Sequence, residues 1–172
     1  MLNYIELAQG TDPFNGSLQC TPVGETLTAT ITDDAYIENT VLFDNAFLRL
    51  EANRRVSIIR FQFIEGSGTV TSASLNLTVG NDAGDGELSV FAESNFDWND
   101  QAASLVVPTG ELAGALENNW VSGETYSFSL NPALVTGDVS LIIRHEGGDD
   151  VAFQSSDAIA RPALEVTIDR CE

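Results

Sequence analysis

Positive charge is scarce in this sequence. It has no lysine, and seven arginines stand against 26 acidic residues in a chain of 172, for a formal charge of −19. A surface of that sign repels phosphate backbones and anionic lipid, which argues against nucleic acids and membrane surfaces as partners. Long apolar runs are missing too. None approaches the roughly 18 residues of a membrane span, so the expectation is a soluble protein. With one histidine, His145, and two cysteines, Cys20 and Cys171, no Cys/His metal site, Ser-His-Asp order or phosphate loop is visible. The segment Met1–Gly10 lacks both a basic n-region and a sustained apolar h-region and is not read as a signal peptide. An initiator Met on an excised piece of a secreted protein would look like this.

What remains is a globular composition, 43% hydrophobic and 19% charged, in a length that suits one domain with a single sizeable core. Cys20 precedes the first clear strand and Cys171 follows the last. Either they staple the two ends, which would make the protein extracytoplasmic, or they stay free; the spacing does not decide.

Most of the chain reads as short strands broken by turn residues. In "VSIIRFQFI", Ile59, Phe61 and Phe63 point one way and Ile58, Arg60 and Gln62 the other. "SASLNLTV" turns Leu75, Leu77 and Val79 inward, and "DVSLIIR" does the same with Val139, Leu141 and Ile143. Further strands are expected at 26–31, 35–38, 46–51, 87–93, 124–130, 151–155 and 163–169. The turn signals "GSG", "GNDAGDG", "VSG", "NPALVTGD" and "EGGDD" separate them. "GELAGALEN" is read as a short helix within a long loop over 94–120. The pattern predicts an all-β protein, an antiparallel β-sandwich of jelly-roll type, over 26–172, with 1–25 as a linker or irregular lead-in.

Four of the seven arginines, Arg49, Arg54, Arg55 and Arg60, fall within twelve positions. Burying Ile59, Phe61 and Phe63 forces Arg60 and Gln62 outward, and the same alternation puts Arg144 outward on "DVSLIIR". If the two strands share a sheet, two guanidiniums share a face. The planar fork of arginine matches a carboxylate or sulfate with two hydrogen bonds, so such a face suits an acidic polymer. The alternative is that each arginine pairs with a carboxylate of the chain itself and limits self-repulsion.

The segment "DDAYIENTVLFDNAFLRLEANRRVSIIRFQF", then "GTVTSASLNLTV", "ELSVFAESNFDWND" and "DVSLIIRHEGGDDVAFQSSDAIARPALEVTI", resembles the DNRLRE-domain family, also classed as carbohydrate-binding module family 96. The resemblance covers roughly 27–169 and lies in the order of the parts more than in any one motif. It implies a β-sandwich accessory module of secreted polysaccharide-degrading or cell-surface proteins, with alginate as the associated ligand class. Two departures stand out. Ser155, Ser156, Asp157 and Ala158 occupy the place of a common Ser-Arg-Glu-Ala, and Phe61-Gln62 that of a common Phe-Asp.

Modules of this kind often carry a structural calcium, and calcium takes about six to eight oxygen ligands, which acidic glycine-containing loops supply. One Ca2+ is therefore expected, with Asp34 or the pair Asp149 and Asp150 as ligands; solvated acidic turns are the competing reading. Trp98 and Trp120 are candidates for stacking on a sugar ring, set against the commoner anchoring role of large aromatics, and Tyr36 is assigned to packing. His145 is read as a surface residue at a strand end. A lyase could be assembled on paper from Tyr36, His145, Arg60 and Arg144, but no spacing selects those residues. In so acidic a chain a glycosidase carboxylate pair cannot be picked out, because abundance is not placement.

The reading is a secreted, monomeric, non-catalytic module adjoining a catalytic domain of the same chain. It binds an acidic polysaccharide, alginate first, through Arg60 and Arg144, with Arg49, Arg54 and Arg55 as neighbours and Gln62 and Gln154 as hydrogen-bonding partners. A structural sandwich of an adhesin or surface filament comes second and a polysaccharide lyase third.

Overall fold

The structure, a computed structural model, describes residues 22–63, 68–93 and 110–171. In chain order the strands are β1 (Pro22–Thr28), β2 (Thr30–Glu38), β3 (Val41–Phe43), β4 (Phe47–Leu50), β5 (Arg55–Gln62) and β6 (Thr69–Thr78). They continue as β7 (Gly84–Glu93), β8 (Glu111–Trp120), β9 (Thr125–Leu130), β10 (Asp138–Gly147), β11 (Val151–Gln154) and β12 (Ala163–Cys171). A 3-10 turn over Pro132–Leu134 precedes β10, and no helix among the described residues is long and apolar enough to cross a membrane.

The strands form an antiparallel β-sandwich. One sheet runs β1-β12-β6-β9 and the other β3-β2-β5-β10-β7-β8, while β4 and β11 pair as a separate ribbon. Alternation decides which side chains meet between the layers. Leu75, Leu77, Phe128 and Val166 come from the four-stranded sheet, Ile59, Phe61, Leu141 and Ile143 from the six-stranded one, and all eight are fully buried. Truncating one of the aromatics here, such as Phe128→Ala, removes on the order of 3–5 kcal/mol through lost contacts and a cavity.

The inward set Ile59, Phe61 and Phe63 is placed as the alternation predicts. The outward set is less simple. Ile58 is also fully buried, in a small second cluster with Ile37, Val56 and Ile142 on the other face of the six-stranded sheet.

Three elements differ from expectation. The predicted helix over "GELAGALEN" is strand β8, paired with β7 from Gly84↔Trp120 to Ala92↔Glu111. Ala, Leu and Glu favour a helix, but the open edge of β7 offers a full ladder of backbone hydrogen bonds, and tertiary pairing overrides the weak propensity. A register shift at Val90/Phe91 also breaks the two-residue period that would have revealed the strand. The expected loop over 94–120 therefore ends before Glu111. At the other end, β1 reaches back to Pro22, inside the expected lead-in, and Ala29 separates it from β2. The hairpin of β2 and β3 is closed by Asn39 and Thr40, both with positive φ (50° and 68°), the mirror-image turn whose twist matches paired strands.

Candidate binding groove

The ribbon of β4 and β11 is where the sandwich offers a surface with two chemistries. Its register pairs Leu50 with Val151, Arg49 with Ala152, Leu48 with Phe153 and Phe47 with Gln154. Leu48, Leu50, Val151 and Phe153 enter the core, each at most 1% exposed. The alternate set, Phe47, Arg49 and Gln154, must then share the opposite face. The segment after β6 runs along the other side of β11, with Gly80 N–H donating to Ala152 O at 2.7 Å and Ala152 N–H to Asp82 O at 3.1 Å. Gly80 is required there, because a Cβ would come within 2.7 Å of the Phe47 ring.

Two connected hollows form over this face. The first, about 550 Å³, is bordered by Tyr36, Asn45, Arg49, Asn81 and Asp82. The second, about 650 Å³, is bordered by Val79, Gln154, Ala158, Ile159 and Ala160. Ala46, Phe47 and Asn81 belong to both, so the two are halves of one groove.

The polar half holds donors that the fold leaves unused. Arg49 Nη2 donates to Asp82 Oδ2 at 2.9 Å, and its other N–H groups make no hydrogen bond to described residues. Asn45 Oδ1 accepts from Phe47 N–H at 3.0 Å, which leaves the Asn45 amide NH2 available. The side chain of Asn81 and the hydroxyl of Tyr36, a residue only 6% exposed, have no partner among the described residues. Tyr36 stacks on Phe43 with ring centroids 5.0 Å apart, in keeping with the packing role expected of it.

The other expected ligand residues lie elsewhere. Arg60 and Arg144 do share the outward face, since Arg60 pairs with Ser140 and Arg144 with Val56, about 13 Å apart along the strands. Each is forked onto its own carboxylate. Arg60 Nε and Nη2 reach Asp138 at 3.0 and 2.9 Å, and Arg144 Nε and Nη2 reach Glu146 at 2.9 and 2.8 Å, with Arg144 also 5.2 Å above the Phe91 ring. The Arg60 guanidinium hydrogen-bonded to Asp138 holds that carboxyl below the usual carboxylate range. Gln62 ends β5, exposed.

Arg54 and Arg55 form a structural network. Arg55, 10% exposed at its side chain, meets Glu38 at 3.1 Å, Glu51 at 3.1 Å and Asp150 at 3.3 Å, while Arg54 meets Glu38 at 2.6 Å and Glu51 at 3.2 Å. The hydrogen bond from Arg55 keeps the Glu38 carboxyl low. These bonds tie the turn before β5 to β2 and to the β10–β11 turn. Arg170 pairs with Glu25. Arg161, exposed and next in the chain to Ala160 at the groove, is the one arginine without an ion pair to a described residue.

Of the residues expected to hold calcium, Asp34 and Asp150 have their carboxylates engaged otherwise, and Asp149 is bonded through its backbone. Asp34, 4% exposed, accepts from Ser156 N–H at 2.7 Å and from the Ser156 hydroxyl at 2.9 Å. Burial pushes its carboxyl up, the two Ser156 bonds work against that, and nearby Asp157 and Asp44 add to it. Asp150 faces Arg55, and the backbone N–H of Asp149 donates to Asp85 Oδ1 at 2.9 Å. Among the described residues no three His, Cys, Asp or Glu side chains are arranged to hold a metal, so the calcium expectation gains no site there.

His145 is not on the surface as expected but 2% exposed. Its Nδ1 accepts from Gly147 N–H at 3.2 Å, so Nε2 carries the proton and donates to Asp149 O at 3.0 Å. It pins the end of β10, with neither ring nitrogen left for chemistry. Trp120 is 1% exposed, donates Nε1–H to Gly86 O at 3.1 Å and packs against Phe128 and Phe153, an anchor and not a platform. Cys20, the proposed Cys20–Cys171 bridge and Trp98 lie outside the described residues.

Sequence reasoning thus named Arg49 and Gln154 as ligand residues of the groove and missed Phe47, Asn45 and Asn81. The available signal was the alternation in "FLRL" and "VAFQ", which puts Phe47, Arg49 and Gln154 on one face once the two strands are paired. Comparison of the chain with protein-family profiles and with curated proteins gave no match.

Proposed function

We propose that this protein is a non-catalytic carbohydrate-binding module that holds an acidic polysaccharide, alginate being the first candidate, in the groove over β4 and β11. The observation that carries the reading is the convergence of Phe47, Arg49 and Asn81 on one open hollow. A pyranose offers an apolar face for an aromatic ring and hydroxyls for planar amides, and a uronate adds a carboxylate that a guanidinium fork can take. Arg49 keeps unused donors for such a carboxylate, whereas Arg60 and Arg144 have given two each to Asp138 and Glu146. Secretion, and a neighbouring catalytic domain that gains substrate proximity from the module, belong to the same reading.

The test is affinity electrophoresis through gels containing alginate, pectin, a sulfated galactan or a neutral glucan. Retardation by an acidic polymer that is lost in Arg49→Ala supports the reading, and free migration in all four gels overturns it. A second reading, a structural sandwich of a surface protein, is favoured by the ion pairing of Arg49, Arg54, Arg55, Arg60, Arg144 and Arg170 with the chain's own carboxylates. Free migration would make it the leading one.

A further inference from the structure

The two halves of the groove differ in chemistry, and the difference bears on what the ligand carries. Beyond Phe47 the walls are Val79, Ala158, Ile159 and Ala160, and the polar side chains that reach this lining are few: Asn81, Ser122 and Gln154. Gln154 Oε1 accepts from Ala160 N–H at 3.1 Å, and the Ser122 hydroxyl donates to Gly80 O. A sugar hydroxyl placed here would give up water for a surface with little to offer it, a net loss.

Ile159 sharpens the point. It is fully exposed on the wall of this hollow. The turn that presents it is fixed from several sides. Ser156 is bonded to the buried Asp34, Ser155 N–H donates to Ala46 O at 3.2 Å, and Ala158 N–H donates to Ser155 O at 3.1 Å. A large apolar side chain held out to water on a fixed turn, beside a half-exposed phenylalanine, is a surface prepared for an apolar group.

Resting on the carbohydrate reading above, we propose that the ligand is an acyl-substituted acidic polysaccharide, and that the apolar half of the groove receives its O-acetyl or similar short acyl groups. Continuity carries the assignment. Ala46, Phe47 and Asn81 border both halves, so a sugar whose ring and carboxylate occupy the Arg49 side places a substituent within reach of Ile159. The acyl methyl adds apolar surface beyond the ring faces of the bare polymer, and its burial is worth about a three- to ten-fold gain in affinity.

The experiment is isothermal titration of wild type and Ile159→Ser with one O-acetylated alginate, before and after mild alkaline deacetylation. Ile159 is fully exposed, so the variant keeps the thermal midpoint of wild type. The expected result is tighter binding of the acetylated polymer by about three- to ten-fold, with that preference lost in Ile159→Ser. Equal affinity of wild type for both polymers overturns the acyl assignment and leaves the polyuronate reading standing. A preference that survives in Ile159→Ser overturns the placement of the acyl group. Binding to neither polymer overturns both readings.

Discussion

Ser156 donates twice to Asp34, across 122 residues of chain: its N–H reaches Oδ2 at 2.7 Å and its hydroxyl reaches Oδ1 at 2.9 Å. The bonds fasten the turn that walls the apolar half of the groove to the edge of β2. They also hold a carboxylate where burial disfavours its charge and where Asp157 and Asp44 repel it. Fold and groove are therefore coupled at one titrating group.

The pH dependence of that group has a definite sign. Burial raises the folded carboxyl above its unfolded value, so between the two values the folded state holds a proton that the unfolded state has released. The stability contributed is complete below the unfolded value near pH 4 and is lost as pH rises through the folded one. Asp34→Asn keeps an acceptor for the Ser156 N–H, offers an amide donor to its hydroxyl, and does not titrate. Urea unfolding at pH 4 to 7 is expected to show the asparagine variant gaining on wild type as pH rises. Asp34→Ala, which loses both bonds, is expected to be about 1–3 kcal/mol less stable than wild type at pH 7. Parallel pH profiles for wild type and the asparagine variant would sink this account.

Two arginines of the "NRR…R" stretch are expected to differ sharply in worth. Arg60 and Asp138 are 41% and 46% exposed at their side chains, so Arg60→Ala should cost about 0–1 kcal/mol, vanishing in about 1 M salt. Arg55 is nearly buried among Glu38, Glu51 and Asp150, and Arg55→Ala leaves Asp150 without its cation and Glu38 and Glu51 to Arg54 alone, at a cost of about 2–3 kcal/mol. Acid acts here in the sense opposite to Asp34. Glu38 and Asp138 are held low by Arg55 and Arg60, so their contribution is present above the unfolded carboxylate values and is lost as pH falls through the folded ones. Chemical denaturation of both variants at two salt concentrations checks the ranking.

Three turn and strand-end glycines provide a graded series. Gly86 has φ +107°, and a Cβ there would run into the carbonyl oxygen of Gly147, so Gly86→Ala should cost well over about 2 kcal/mol. Gly123 has φ +83° with open space around it, and its alanine variant should lose only about 1 kcal/mol. Gly147 has neither constraint, and Gly147→Ala should be neutral. Thermal unfolding of the three reads the order, and a destabilised Gly147→Ala or an unaffected Gly86→Ala would contradict it.

Strand alternation made much of the sandwich legible. Ile59, Phe61 and Phe63 on and just after β5 and Leu75 and Leu77 on β6 could be assigned to the core because one face is buried and the period is two. Where that period breaks, at the register shift opposite β8, composition pointed to a helix instead. The site was harder to read for a different reason. Density of arginine drew attention to residues 49–60, but whether a guanidinium is free depends on carboxylates distant in sequence, such as Asp138 for Arg60 and Asp150 for Arg55. Asn81 and Asp82 reach the groove only because the chain after β6 runs along β11, a pairing with no local signature.

Arg49 and the outward pair Arg60 and Arg144 separate the two ways in which arginine could serve this protein. If a polyuronate lies in the groove, Arg49→Ala removes the donors facing its carboxylate and leaves Asp82, a repelling charge, uncovered. Truncation of a hydrogen-bonded charge pair at a binding site costs about 2–5 kcal/mol, or roughly thirty-fold or more in affinity. The double variant Arg60→Ala with Arg144→Ala releases Asp138 and Glu146 on the face of the six-stranded sheet opposite Ser57, whose hydroxyl bonds the ribbon at Arg49 O, adding only general repulsion on a chain of charge −19. That penalty should fade as salt rises from about 50 to 500 mM, while the Arg49 effect should persist. Titration with alginate at both salt concentrations is the check. Loss of binding in the double variant that survives high salt, with Arg49→Ala unaffected, would move the site to the outer face of the six-stranded sheet.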